Sequence, residues 1–155
     1  MRVGDVCTRS VVTCRRETSA VELAQIMRDR HVGDVIVVDE AETGPTPIGI
    51  VTDRDLVVLV LANGVSPEGL HAGNLFKGTL VTALQSDDIY DAIWCMRSRG
   101  VRRLPIVNAS NCLVGVLTLD DVTRLLAEAL GEVGRISLYQ ARREEVALER
   151  ERHAP

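Results

Sequence analysis

Lysine is almost absent from this 155-residue chain: Lys77 stands alone against 17 arginines. Aromatic residues make up only 3%, too few for the stacking platforms that hold single-stranded nucleic acid. Positive charge is not in surplus either. The 18 basic residues face 22 acidic ones, for a formal net charge of −4, so the term that drives sequence-independent nucleic-acid binding is missing. No apolar run approaches the roughly 20 residues needed to span a bilayer. The opening MRVGDVCTRS lacks the apolar stretch of an export signal. These absences predict a cytoplasmic protein with neither a membrane nor a nucleic-acid partner. The four cysteines form no CxxC, which favours free thiols over disulfides. No G-x-S-x-G elbow is present, and the chain reads as a non-enzyme.

What is present is an ordinary globular composition, 46% hydrophobic and 26% charged, enough for a core without staples. The chain also repeats itself. Residues 3–38 align with 72–107 at an offset of 69, through Gly4/Gly73, Val12/Val81, Thr13/Thr82, Met27/Met96, Arg28/Arg97, Arg30/Arg99, Val32/Val101 and Val38/Val107. Beyond them the offset becomes 66, where GIVTDRDL (49–56) matches GVLTLDDV (115–122). The three-residue difference falls in ETGPTP, read as a loop, where insertions are tolerated.

Each repeat reads as β-α-β-β-α. A short strand comes first, Val11–Cys14 or Leu80–Ala83. Apolar residues at helical spacing follow over Thr18–Arg30 and Asp87–Arg99, with Thr18, Ser19 and Asp87 suited to N-caps. Two β-rich runs come next, Val35–Asp39 with Ile48–Thr52 and Leu104–Asn108 with Leu113–Thr118. A helix over Asp53–Ala62 or Leu119–Leu130 closes the unit. The boundaries are 1–63 for the first repeat, 64–71 for a linker, 72–131 for the second repeat and 132–155 for a helical tail. One such repeat buries too little surface to stand alone, so the two should pack through their sheets as a pseudo-twofold α/β globule. In the tail, Ile136, Tyr139, Arg143 and Val146 fall on one stripe, either of a solvated helix or of a dimer contact.

The element that carries chemistry is Gly-apolar-apolar-Thr-x-x-Asp, present twice as GIVTDRD and GVLTLDD. The threonine ends a strand and can cap the following helix. The aspartate lies in the first helical turn, where a carboxylate is favoured by the positive helix end. Ionised, it only accepts, and can take two donors such as the hydroxyls of a vicinal diol. The same spacing is also that of a plain capping box. Two copies at corresponding places strengthen the ligand reading.

The segments VVTCRRET, IMRDRHVGDVIVVD and GIVTDRDL, with LVTALQSD, CMRSRGVRRLPIVN and GVLTLDDV, resemble the CBS-domain family over about residues 1–130. Two tandem copies in that family form a Bateman module. The resemblance implies a regulatory sensor that binds adenosine-containing ligands (AMP, ADP, ATP, NAD-like molecules or S-adenosylmethionine) in two clefts between the repeats. It also implies a homodimer acting on an unidentified regulated protein, with no catalytic cofactor. Some members bind no nucleotide, leaving a scaffold as the alternative. By position, Thr118 and Asp121 would hold one ribose, and Thr52 and Asp55 the other. The Asp121 cleft would take its adenine wall from Thr8, Val11, Val12, Val32 and Gly33, and its phosphate slot from Arg102 and Arg103. The Asp55 cleft would use Lys77, Leu80, Val81 and Thr82, with a phosphate slot at Gly33 and Asp34. An acid at 34 departs from the family pattern and opposes phosphate, partly offset by Arg54. These slots predict one strong cleft, at Asp121, and one weak. Cys7, Cys14 and His71 are the residues that could meet to hold zinc, though their spacing does not require it.

Overall fold

The architecture comes from a computed structural model, which describes residues 1–76 and 78–152. Its elements run α1 (Val3–Val6), β1 (Thr13–Arg15), α2 (Ala20–Arg30), β2 (Asp34–Ala41), β3 (Gly44–Thr52), α3 (Asp53–Asp55), α4 (Ala72–Leu75), β4 (Ala83–Leu84), α5 (Ile89–Arg99), β5 (Arg103–Val107), β6 (Leu113–Thr118) and α6 (Leu119–Arg152). A π-helical turn, Leu56–Leu61, continues α3. Two compact units result, residues 1–118 and the segment from Leu119 onward.

The first unit holds two three-stranded sheets, ordered β1-β2-β3 and β4-β5-β6. In each, the first strand pairs parallel and the last antiparallel to the middle one. The ladders slip once each, between Val37 and Val38 and between Ile106 and Val107, positions 69 apart as the repeat demands. The first hairpin differs from expectation. ETGPTP is not a loop: β2 and β3 run on to a two-residue turn at Glu42–Thr43, with Pro45 opposite Glu40 and Pro47 opposite Val38. Proline is tolerated there because β3 is an edge strand.

Helix α2 starts at Ser19, whose hydroxyl accepts from the Glu22 amide while the Glu22 carboxylate accepts from the Ser19 amide. In α5 the cap is Asp88 rather than Asp87. The Asp87 carboxylate instead accepts from the Leu84 amide, 2.9 Å away, closing the turn before the helix. Both helices end in a left-handed residue, His31 and Gly100, again 69 apart.

Strand β2 is buried on both faces. Val35 and Val37 join Cys14, Leu23, Met27, Val51 and Val60 in the core of the first repeat. Ile36 and Val38 face the other way and pack with Val116, Ile50 and Leu113, joining the two sheets. Burial pushes the Cys14 thiol up to about 11. Met96 is buried, Cys95 half-buried and Trp94 exposed.

The two repeats also exchange arms. α1 sits on the second repeat, with the Val3 amide bonded to the Asp87 carbonyl and that of Gly4 to Gln85. α4 does the same on the first, Ala72 to Thr18 and Gly73 to Arg16. The Ile89 amide reaches Met1 and that of Ala20 reaches Leu70. Every one of these bonds has its counterpart 69 residues on. Ala72 and Leu75 thereby enter the core of the first repeat.

The glycine of each Gly-x-x-Thr motif makes room for an arm. A Cβ on Gly49 would lie 2.4 Å from the Phe76 ring. One on Gly115 would lie 2.7 Å from Cys7 Sγ and 2.9 Å from the Thr8 carbonyl oxygen. Beside Gly115 the arm forms a two-way bridge, Thr8 and Val116 exchanging amide–carbonyl bonds of 2.9 Å.

The second unit is the single helix α6. It passes through Gly131 and Gly134, each unfavourable by about 1 kcal/mol against alanine. Arg135–Glu132 at 2.6 Å and Arg124–Glu128 at 3.5 Å span its turns. Ile136, Tyr139 and Val146 are exposed on it. Among the described residues, no helix is long and apolar enough to cross a membrane.

Candidate functional site

Two clefts open where the repeats meet. The first, about 390 Å³, takes Ile48, Gly49, Ile50, Asp55 and Leu59 from the first repeat. From the second side come Leu75, Phe76, Thr79, Leu80, Val81, Val101 and Arg103. The second cleft, about 280 Å³, is lined by Thr8, Ser10, Val11, Val12, His31, Val32, Gly33 and Asp34, with Arg103, Val116 and Thr118. Both lie near the lower end of the range for small-ligand sites, roughly 300–1,000 Å³. Each has aliphatic walls with a few polar groups.

In the first cleft the motif does two things at once. Thr52 closes β3 and caps α3: its amide and hydroxyl both donate to Asp55 Oδ2, at 2.8 and 2.6 Å. The Asp55 amide donates back to Thr52 Oγ1 at 3.2 Å. The capping-box reading of the spacing is therefore satisfied here. It occupies only one carboxylate oxygen. Asp55 Oδ1 accepts no hydrogen bond among the described residues, and Asp55 lines the cleft. Capping and ligand acceptance are compatible.

The expected wall residues Leu80 and Val81 line this first cleft, whereas Thr82, half-buried on the approach to β4, does not. Lys77 lies outside the described residues. All five expected wall residues of the second cleft, Thr8, Val11, Val12, Val32 and Gly33, line it together with Thr118. Asp121 belongs to the first turn of α6, is buried, and pairs with Arg124 at 3.4 Å.

The cations fall differently from expectation. Arg102 is exposed and lines neither cleft, and Arg54 is exposed, its amide bonded to Asp53 Oδ1 at 2.7 Å. Arg103 lines both clefts. Its Nε lies 2.6 Å from Asp34 Oδ1. The Gly33 and Asp34 slot expected in the Asp55 cleft lines the second cleft instead, where Asp34 meets Arg103 as one ion pair. The signal was present in the sequence: Asp34 and Arg103 are 69 apart, so the repeat's own twofold brings them together. They also open β2 and β5, opposite Thr52 and Thr118 respectively.

Burial pushes the Asp34 carboxyl above the usual carboxylate range. Arg103 pulls it down and Asp53 pushes it further up. Burial prevails because the Asp34 side chain is only 17% exposed while the Arg103 side chain is 36% exposed, so solvent screens the guanidinium more than the carboxylate.

The three zinc candidates do not converge. Cys7 lies under Gly115 in the second repeat's sheet, Cys14 is in the first repeat's core, and His71 Nδ1 is 2.8 Å from the Glu17 carbonyl oxygen. Among the described residues, no group of three or more His, Cys, Asp or Glu side chains is placed to hold a metal ion.

Known proteins share this architecture. An uncharacterised protein of Methanopyrus kandleri is 35% identical over 123 residues, 79% of this chain; the match spans 61% of that relative, which is therefore the longer protein. The crystal structure of hypoxic response protein I with two coordinated zinc ions matches with a TM-score of 0.70 at 26% identity, over 80% of this chain and 98% of that one. A CBS-domain protein from Pyrobaculum aerophilum complexed with AMP matches with a TM-score of 0.68 at 25% identity, over 78% and 89%. The CBS-domain profile matches residues 3–62 and again 74–128. With that profile covering most of its length in two tandem copies, the chain belongs to the CBS-domain family.

Proposed function

We propose that the chain is a non-catalytic sensor for adenosine-containing ligands. The observation that carries this reading is the first cleft, where an acceptor-only carboxylate with one oxygen uncommitted faces apolar walls supplied by the opposite repeat. A ribose diol can donate to that oxygen while a purine packs against Leu80, Val81 and Ile50. By repeat equivalence in the sequence, Thr118 and Asp121 are the counterparts of Thr52 and Asp55. The AMP complex of the Pyrobaculum relative supports the same ligand class. A ligand touching both repeats shifts their packing only through its differential affinity for two states. The signal would pass to a second copy of the chain or to a regulated protein.

Thermal unfolding with AMP, ATP, NAD or S-adenosylmethionine tests this. A ligand at about 100 times its dissociation constant stabilises by about 2.7 kcal/mol. No shift with any of them would leave the competing reading, a ligand-free scaffold. One observation favours that alternative: the arginine shared by the clefts is already neutralised by Asp34.

A further inference from the structure

We propose that the two clefts compete for a single cation, so that a phosphate-bearing ligand in either one excludes a second from the other. The inference rests on the ligand class proposed above. Arg103 lines both clefts, and among the described residues lining them it is the one arginine, with no lysine beside it. Its guanidinium is held through Nε by Asp34 at 2.6 Å. Asp53 lies close by: a Cβ on Gly33 would be 3.3 Å from Asp53 Oδ2 and 3.9 Å from Arg103 Nη2. Asp34 is the carboxylate paired with this guanidinium, and Asp53 adds a second negative charge beside Gly33.

A guanidinium has five donors in a fixed fork and grips phosphate best with two parallel bonds. A ligand phosphate entering from either side must use the remaining Nη donors or displace Asp34. Either way Arg103 becomes fully compensated. A second phosphate in the other cleft would meet an already paired guanidinium, and the described residues lining the two clefts include no further arginine or lysine to offset repulsion. Uncharged ligands feel none of this. In a symmetric pair of repeats each cleft would have its own residue at this position. Here one copy is an arginine and the other an acid, 69 residues apart, and the site count for anions falls from two to one.

Titration calorimetry with AMP and with adenosine reads this directly. The wild type should take one AMP but two adenosines per chain. Asp34→Arg gives each cleft a guanidinium and should raise AMP to two per chain. Asp34→Asn, nearly isosteric and a safeguard should the two arginines disturb folding, should keep one AMP but tighten it at least about tenfold, the scale of one charge-assisted contact. Two equal AMP sites in the wild type would overturn the exclusion and leave the ligand class standing. Equal counts of one for AMP and adenosine would also overturn it, because charge would not be the limit. No binding of either ligand would overturn both the exclusion and the ligand class.

Discussion

Asp55 holds a helix cap with one oxygen and lines the first cleft, and substitution can separate the cap from the proposed ligand contact. Asp55→Asn keeps a carbonyl-type acceptor for the cap but removes the charge. It should weaken adenosine binding in the first cleft by about 1.5–3 kcal/mol, the range for a hydrogen bond to a charged group, with a small change in melting temperature. Asp55→Ala should weaken that site as much and also lose about 1 kcal/mol of stability with the cap. Calorimetry and thermal melts on the two variants check this; equal stability losses would mean the cap depends on the charge. Asp34 gives a pH-dependent expectation. Its folded-state pKa is raised, mainly by burial, so the native state binds a proton more tightly than the unfolded chain. The stability this contributes is full below the unfolded value of about 3.9 and is lost as pH rises through the folded one. Melting temperatures of Asp34→Asn relative to wild type should therefore move in the variant's favour between about pH 3 and pH 7. A constant difference would show that Arg103 offsets the burial.

At the scale of elements, the exchanged arms explain why the motif begins with glycine. Gly49 lies under the Phe76 ring, with 2.4 Å to a notional Cβ, and neither a ring nor a strand yields easily. Gly49→Ala should destabilise by about 1–3 kcal/mol, as overpacking does. Gly115→Ala should do the same against Cys7 and the Thr8 backbone. Urea melts check both, and a neutral result would mean that the arms can lift away. The repeat, the helix cores and the Ser19 cap were legible because they follow from local period and capping chemistry. ETGPTP reads as a loop because its turn residues and prolines favour one, while an edge strand tolerates them. The seats of α1 and α4 are long-range, and nothing in Cys7 or Phe76 alone names the glycine beneath it. The Asp34–Arg103 pair was hidden for a similar reason. Motif position alone gives each residue its own cleft, while the 69-residue offset puts both at one twofold position.

At the scale of the whole molecule, the homodimer implied by the family resemblance is open to measurement. Light scattering at micromolar concentration should give about twice the 16.9 kDa chain mass, as expected for an isologous twofold assembly. A mass near that of one chain would remove the second copy as a route for the signal. The arms carry a further consequence. Each repeat is fastened to the other by backbone bonds running in both directions, from Val3 and Gly4 one way and from Ala72 and Gly73 the other. The peptide between them at Asn63–Ser66 is exposed and turns at Gly64 with φ of 63°, so it contributes little to the joint. A protease cut there should leave a split protein whose halves remain interlocked. The nicked sample should elute from gel filtration as the intact one does and part into two fragments only in denaturant. Mixed as separate peptides, the fragments should reassemble, because each carries the piece that completes the other.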